Sequence, residues 1–434
     1  MVSAAYVDRL FNDGLIDSVD LSLTRIGFGS VPGETKNQRA VGAGLDAAYS
    51  TTLTGNAATF FGNLFAATSV GVLDNLSGEG TTALQNASFD AGSQFNNAVL
   101  NQLTSGDASG ADSVVIPPAQ YAATPKPRGQ DAFASVLKAP AAALAAQPGR
   151  WRIWTLGFGG YRTMDGNAGS LGSANQSIRN YGGALGFDYQ VGADLLLGFS
   201  AGGSGANISV PNRTTTGDLT GGHFGFYGLK TWGPAYAAAS VNYARFDNTT
   251  NRTIIGVGPT EVARGNFASD QVSARFELGW KRAFAQYTLT PFVAVEPAAV
   301  RAHSYNEVSN SVAGGAGVLG LSFAARTTTS LPTFVGAQIE TRTVFSDGVT
   351  MTPYARASWV HEFEPNRQVN PAFISVPTAT FTVDGARAAS DAVRIDAGMK
   401  FAIDPARSLF ANLSGEWSNI GQSISATAGF KLVR

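Results

Sequence analysis

A serine flanked by glycines is the first group in this sequence that has the spacing of a catalytic motif. Gly198-Phe-Ser-Ala-Gly202 matches the nucleophile elbow of hydrolases, where a strand, a sharp turn and a helix expose the serine. Here the chain continues from Gly203 as Ser-Gly-Ala-Asn-Ile-Ser-Val, which has the composition of a strand. We therefore interpret Ser200 as a strand residue and not as a nucleophile.

Histidines are the other residues that could carry chemistry. His223, His303 and His361 lie far apart in the sequence, and the chain has no cysteine, so we expect no zinc site. His361 is followed by Glu362, and Asp391 lies downstream. These three residues are the only group that would serve an outer-membrane protease or phospholipase, and this alternative stays open. We expect that the protein is not an enzyme and that it binds no cofactor.

The composition bounds the class of protein. The 434 residues carry a formal net charge of -1, and 14% are charged, so nothing favours a nucleic-acid partner. Glycine is abundant, with 51 residues, and aromatic residues make up 10%. No apolar run approaches the roughly 18 residues that a transmembrane helix requires. If the chain meets a bilayer, it therefore does so with strands.

Strict alternation of apolar and polar residues is the main structural signal. In residues 271–281 every second residue is apolar, and the residues between them are polar or charged. The same pattern returns at residues 392–401 and 423–433. A period of two predicts strands with one apolar and one polar face.

About twelve such segments follow Trp151, and the connections between them alternate in length, as outer-membrane barrels require. The segments span about 151–162, 179–190, 195–208, 219–231, 235–247, 269–282, 286–300, 331–345, 350–363, 389–403, 408–418 and 422–434. The long loops are expected near 163–178, 248–268, 301–330 and 364–388. The predicted fold is an all-β, 12-stranded antiparallel transmembrane β-barrel.

Charged residues in the polar register of these strands are predicted to face the lumen. On the lipid face, each Arg or Lys near mid-bilayer would cost about 2–4 kcal/mol, which fixes the register. The predicted lumen-facing charges are Arg275, Glu277, Lys281, Glu296, Glu340, Arg342, Arg356, Glu362, Arg394, Asp396, Lys400 and Glu416.

An alanine-rich helix ahead of the first strand is predicted to occupy the lumen. Twelve strands leave a bore of roughly 10–12 Å after side chains are subtracted, which is close to the girth of a helix. Residues 130–146 are dominated by alanine and end before Pro148. Lys138 in this helix could meet lumen carboxylates. Pro140 supports the alternative of a short helix packed on the periplasmic mouth.

Two motifs ahead of the strands resemble a known family. Asn37-Gln-x-x-Val, ending in Leu45-Asp, is predicted to be helical, as is Leu73-Asp-Asn-Leu-Ser-Gly-Glu79, and this second helical stretch reaches about Leu103. Their order, just before a strand-rich C-terminal part, resembles the junction of autotransporters of Gram-negative bacteria, the type V secretion proteins.

The resemblance implies a translocator that secretes its own N-terminal passenger to the cell surface and anchors it there, with no catalysis by the barrel. It implies location in the outer membrane, and it implies outer-membrane lipid, the barrel-assembly machinery and the passenger itself as partners of a monomeric barrel. The residues after Met1 lack the basic and apolar regions of a signal peptide. We therefore expect the chain to be part of a longer precursor.

The predicted organisation has four parts. Residues 1–103 are the helical and irregular end of the passenger, 104–128 a Gly/Ser/Pro-rich linker, 129–149 the lumen helix and 150–434 the barrel. Three alternatives to autotransport remain besides a hydrolase. They are an adhesin with binding loops at 248–268 and 301–330, a diffusion porin, and a soluble β-sandwich or β-solenoid.

Overall fold

A hairpin and four helices precede the barrel. The computed structural model describes residues 2–10, 16–67, 69–104, 151–346 and 348–434. The hairpin strands are β1 (Val2–Leu10) and β2 (Ile16–Arg25), and the helices are α1 (Lys36–Ala48), α2 (Gly55–Phe65), α3 (Val72–Leu76) and α4 (Ala83–Thr104). A short 3-10 turn, Glu79–Thr82, leads into α4.

The first half of the barrel consists of long uninterrupted strands. They are β3 (Trp151–Met164), β4 (Gln176–Gln190), β5 (Leu195–Val210), β6 (Thr215–Trp232), β7 (Ala235–Ile254) and β8 (Glu261–Trp280). Buried and exposed side chains alternate along them. The outward residues of β8 include Val272, Phe276 and Leu278, all exposed, as the lipid face of a barrel requires.

The second half of the barrel is made of shorter pieces. They are β9 (Arg282–Ala283), β10 (Thr288–Val295), β11 (Ala298–Ala302), β12 (Tyr305–Asn306), β13 (Val308–Ser311), β14 (Leu321–Phe323), β15 (Arg326–Ser330), β16 (Pro332–Glu340), β17 (Thr343–Val344), β18 (Thr350–Glu362), β19 (Gln368–Val369), β20 (Pro371–Phe373), β21 (Val376–Thr380), β22 (Val383–Asp384), β23 (Asp391–Asp404), β24 (Arg407–Ser418) and β25 (Gly421–Val433). Pro297 separates β10 from β11, because proline has no N–H to donate to the ladder.

Pairing between the last and the first strand closes the barrel. β25 pairs antiparallel with β3 from Gly421 opposite Met164 to Val433 opposite Arg152. Some wall strands are interrupted: β8 and β9 together form one strand, β10, β11 and β13 form the next, and β15, β16 and β17 form the one after it. Counted in this way, the wall has twelve strands. The predicted closed, twelve-stranded antiparallel barrel is thereby confirmed.

The two ends of the barrel differ. Short connections join β4 to β5, β6 to β7, β9 to β10, β17 to β18 and β23 to β24, and we call this end the turn end. The opposite end, the loop end, carries all of the longest connections, together with short turns between β5 and β6 and between β24 and β25. In bacterial outer-membrane barrels the short turns are periplasmic and the long loops extracellular.

The predicted loop at 248–268 is wrong, because the structure continues both strands through most of it. β7 and β8 pair without a break from Ala235 opposite Trp280 to Ile254 opposite Glu261. Beyond the apolar band the outward residues of β7, such as Asp247, Thr249 and Asn251, are polar, so pairing continues where the apolar residues of the outer face end. Pairing without alternation leaves no period-two signal in the sequence.

Helix α4 lies inside the barrel. Its 22 residues span about 33 Å at 1.5 Å per residue, close to the thickness of a bilayer core. Its first residues pack near the loop end, where Ala83 and Phe246 share one apolar cluster, and its last residues pack near the turn end, where Leu103 and Trp154 share another. A helix inside the barrel confirms that part of the predicted fold. Among the described helices, none is both long and apolar enough to cross a membrane.

A small domain covers the loop end, and we call it the loop-end cap. It consists of α1, α2 and α3 together with β12, β14 and β19 to β22 from the loops. β12, β14, β20 and β21 form one sheet, and β19 pairs with β22. Side chains from the helices and from these loop strands form a common apolar core.

Candidate functional site: the barrel lumen

Helix α4 packs on one side of the lumen, against strands β4 to β8. Near the turn end, Phe95, Val99 and Leu103 contact an apolar wall that includes Trp154 and Tyr236. The ring of Phe95 stacks on His223, with their centroids 4.6 Å apart. Eighteen of the 22 helix residues are buried, so the barrel surrounds the helix on most sides.

Asn96 fastens the same face of the helix by hydrogen bonds. Its amide Nδ2 donates to Ser273 Oγ at 3.2 Å, and its Oδ1 accepts from Ser240 Oγ at 3.2 Å and from the Asn242 amide. Asn96 is fully buried. Sequence reasoning missed this residue, because nothing local marks an asparagine as a contact to three distant strand residues.

The other side of the helix faces a polar cavity of about 140 Å³. It lies between α4 and the part of the wall formed by β16, β18, β23, β24, β25 and β3. It is large enough for several water molecules. Across it, Asp90 of the helix forms an ion pair with Arg162 of the wall, at 3.0 Å between Oδ2 and Nε. Arg162 also donates to Glu416 Oε1 at 3.4 Å.

A buried ionic network links four strands of the barrel wall. Glu277 accepts from Arg356 Nη1 at 3.0 Å, from Arg275 Nη2 at 3.2 Å and from the Tyr236 hydroxyl at 2.9 Å. Arg275 donates in turn to Glu296 Oε2 at 2.9 Å. These residues lie on β7, β8, β18 and between β10 and β11, so the network fixes the register of the wall from inside.

Half of the predicted lumen charges are buried in the described barrel. Those with buried side chains are Arg275, Glu277, Glu296, Arg356, Glu362 and Asp396. Those with half-buried side chains are Lys281, Glu340, Arg394, Lys400 and Glu416. Arg342 is exposed beyond the end of β16, because the inward register of that strand has already left the lumen there.

The predicted lumen helix at 129–149, with Lys138, lies outside the described residues, as does the linker from residue 105 onward. Among the described residues, α4 lies in the lumen, whereas the sequence predicts this segment to be part of the passenger end. α4 carries one charge, Asp90, in 22 residues. A helix enclosed by a wall must be narrow and nearly uncharged, and this composition was the available signal.

Arg367 joins a loop to the lumen helix. It lies between β18 and β19, where its Nε donates to Asn86 Oδ1 at 2.8 Å and its guanidinium stacks 4.5 Å from the Phe89 ring centroid. Its Nη1 donates to the Glu364 carbonyl at 2.9 Å. Burial lowers the pKa of Arg367 to about 10, so it stays charged at neutral pH. The loop-end cap is thereby tied to α4.

The two sequence motifs meet in the cap. The side chain of Asn37, in the first motif, makes two hydrogen bonds with the backbone of Asp384. Asn37 Nδ2 donates to the Asp384 carbonyl oxygen at 2.7 Å, and Asn37 Oδ1 accepts from the Asp384 N–H at 2.9 Å. Gln38 donates to Asp74 Oδ2 of the second motif at 2.9 Å. Leu45 and Leu73 lie in the common apolar core. The motifs are therefore the parts of one packed unit.

Glu79, which ends the second motif, is buried where the cap meets the barrel. Its Oε1 accepts from the Ala174 backbone N–H at 3.3 Å, and its Oε2 lies 3.2 Å from Arg213 Nε. Burial raises the pKa of Glu79 to about 7 despite the nearby guanidinium. Burial also raises the pKa of Asp74, which lies 3.3 Å from Arg213 Nη2.

We expect this junction to lose stability as pH rises from about 4.5 to about 7. In that range the unfolded junction releases the Glu79 proton while the folded junction retains it. Rising pH therefore lowers the free energy of unfolding of the junction, by up to roughly 3 kcal/mol. Hydrogen exchange of residues 77–82, corrected for the intrinsic pH dependence, should show protection falling over this range and level above it. In Glu79→Gln most of this dependence should disappear, and an unchanged profile would contradict the assignment.

The residues considered for catalysis do not form one site. His361 Nδ1 lies 2.9 Å from Asp391 Oδ1 on the outer face of the barrel. Glu362 points inward and accepts from the Leu331 backbone N–H at 2.7 Å, because neighbouring residues of a strand face opposite sides. Ser200 is fully buried in β5. Among the described residues, no three acidic or histidine side chains are grouped as a metal site would require.

This chain is similar to known autotransporter proteins. The family model described as Autotransporter beta-domain matches residues 153–414. The translocator domain of the autotransporter NalP from Neisseria meningitidis superposes with a TM-score of 0.51 at 14% identity, covering 69% of this chain and 94% of that one. The β domain of the Bordetella autotransporter BrkA gives a TM-score of 0.48 at 16% identity, covering 65% and 99%.

Similarity at these identities bears on the fold alone. No curated protein sequence gives a significant match. The family itself follows from the family model, which covers more than half of the sequence and coincides with the barrel strands. The chain belongs to the autotransporter β-domain family, whose barrels are transport domains of the Gram-negative outer membrane.

Proposed function

We propose that this barrel secretes the part of its own chain that precedes α4, and then anchors it at the cell surface. The observation that carries the proposal is the direction of α4. The helix runs from the loop end at Ala83 to the turn end at Thr104, and the first barrel strand begins at the turn end with Trp151. The chain before Ala83 therefore lies on the loop side, which is the cell exterior for such barrels.

In this function the barrel needs no catalytic group. Buried wall charges keep the lumen polar, and α4 fills most of it once transport is complete. Outer-membrane lipid surrounds the apolar outer face, the barrel-assembly machinery inserts the monomeric barrel, and the preceding passenger is the cargo. The hydrolase alternative has little support, because His361 and Glu362 lie on opposite faces of the wall.

Protease treatment of intact cells tests this proposal. The chain is expressed behind a signal peptide with an epitope tag before residue 1, and a second version carries the tag in the connection between β17 and β18 at the turn end. External protease should remove the first tag from intact cells and leave the second until the cells are lysed. Protection of the first tag in intact cells would overturn the proposal.

A further inference from the structure

The first two helices of the loop-end cap pack closely against the barrel loops. Residues 36–65, which form α1 and α2 and which we call the docking module, contribute Val41, Leu45, Phe60, Phe61 and Leu64 to the common apolar core. All five side chains are at most 4% exposed. Their partners include loop residues that are distant in sequence.

Those partners form one continuous apolar surface on the loops. They are Val318, Leu319, Leu321, Phe323, Phe373, Val376, Ala379, Phe381 and Val383, all members of the same core. The rings of Phe60 and Phe373 approach to 4.7 Å between centroids. The loop sheet β12, β14, β20 and β21 presents this surface, so it is part of the barrel chain after Trp151.

Directional polar contacts fix how the docking module sits on this surface. The Asn37 backbone N–H donates to the Leu171 carbonyl at 3.0 Å. The Asn37 side chain makes hydrogen bonds with both the carbonyl and the N–H of Asp384. Lys36 forms an ion pair with Asp384 at 2.7 Å. These contacts join the start of α1 to the loop between β3 and β4 and to β22.

We propose that residues 36–65 bind the loop end of the barrel as a separate module, so that the passenger stays attached even when the chain between α2 and α3 is cut. The anchor then has two parts: the covalent path through α4, and a docked interface between the module and the loop surface. This inference deepens the proposed function. Its test below uses purified protein, and its outcome does not depend on export.

Close packing of α1 on β21 provides a selective way to disturb the interface. A Cβ added at Gly44 would lie 2.7 Å from the Thr380 carbonyl oxygen, which is backbone and cannot move aside easily. A Cβ added at Gly62 on α2 would meet nothing within 4 Å. Gly44→Gln and Gly62→Gln are therefore a matched pair, since both place the same helix-forming side chain in the module.

The experiment cuts the full chain after refolding. A protease recognition sequence is inserted between α2 and α3, the chain carries an N-terminal epitope and a C-terminal affinity tag, and heat-modifiable gel mobility verifies that the barrel is folded. After cleavage in detergent, the fragment with the module should remain on the affinity resin through the C-terminal part. Washing at high salt should not release it, since the interface is mainly apolar.

The variants decide between docking and mere proximity. Gly44→Gln should release the fragment at least about tenfold faster than the unchanged chain, and Gly62→Gln should match the unchanged chain. Asn37→Ala should also accelerate release, because it removes both bonds to Asp384. Immediate release of the unchanged fragment would overturn the proposal, and so would equal retention of the Gly44→Gln and Gly62→Gln fragments.

Discussion

Replacing Glu277 by alanine is expected to lower the stability of the folded barrel by about 3–5 kcal/mol. Glu277 is 2% exposed and accepts hydrogen bonds from two arginines and one tyrosine. Its removal leaves the Arg356 guanidinium buried with no carboxylate in bonding distance among its described contacts. Breaking a buried ion pair by removing one partner costs more than the pair itself contributes.

The environment of the arginines makes this cost hard to avoid. Arg356 packs 3.4 Å from the Phe292 ring centroid, and Arg275 packs 4.4 Å from that of Phe334. Both guanidinium groups are therefore held between aromatic rings and the wall, where they have little freedom to turn toward the polar cavity. Arg275 keeps its bond to Glu296, so most of the loss should come from Arg356.

Urea unfolding of the barrel refolded into lipid vesicles, followed by tryptophan fluorescence, measures this effect. Glu277→Gln should lose less, because its amide oxygen still accepts one bond. Arg342→Ala is the control, since Arg342 shares the predicted register but is exposed. Its free energy of unfolding should stay within about 0.5 kcal/mol of that of the unchanged chain. Equal midpoints for Glu277→Ala and Arg342→Ala would show that the network does not stabilise the wall.

Much of the wall could be predicted because it obeys one rule. A strand between lipid and lumen must alternate, and a charge such as Arg356 or Asp396 is tolerated on one face only. Strand number and register follow directly from that constraint. The same rule would have separated His361 from Glu362 in advance, since adjacent strand residues face opposite sides.

The contents of the lumen were harder to predict. Residues 83–104 and 130–146 both have the composition of slender helices, and helix propensity does not tell whether a barrel encloses a given helix. Enclosure depends on long-range contacts, such as Asn96 with Ser273 and Asp90 with Arg162. The loop surface that receives α1 was missed for the same reason, because its short strands pair only in the context of the cap.

Removing α4 is expected to raise the single-channel conductance several-fold. With the helix in place, the described lumen retains a polar cavity of about 140 Å³ on one side and a smaller one of about 20 Å³ near Lys400 and Lys431. Without the helix, the bore widens to roughly 10–12 Å, the width that twelve strands leave after their side chains. Conductance rises with the cross-section open to ions.

Two truncations that differ only by the helix isolate its effect. Deleting residues 1–82 removes the hairpin and the cap helices but keeps α4, and deleting residues 1–104 removes α4 as well. Planar-bilayer recordings should show a several-fold larger conductance for the second truncation, provided that both retain heat-modifiable mobility. The difference between the unchanged chain and the first truncation also measures what the hairpin and the cap helices contribute.

Residues 130–146 provide the remaining arm of this experiment. The sequence predicts that deleting them opens the lumen, whereas the position of α4 predicts that the lumen stays filled after that deletion. A large conductance on deleting 130–146 alone would mean that this segment shares the lumen or holds α4 in it. Equal conductance for the truncations at 82 and 104 would contradict α4 as the plug. A rise seen only when α4 is deleted would assign the closure to α4, because Asn96, Phe95 and Asp90 then hold the helix against the wall.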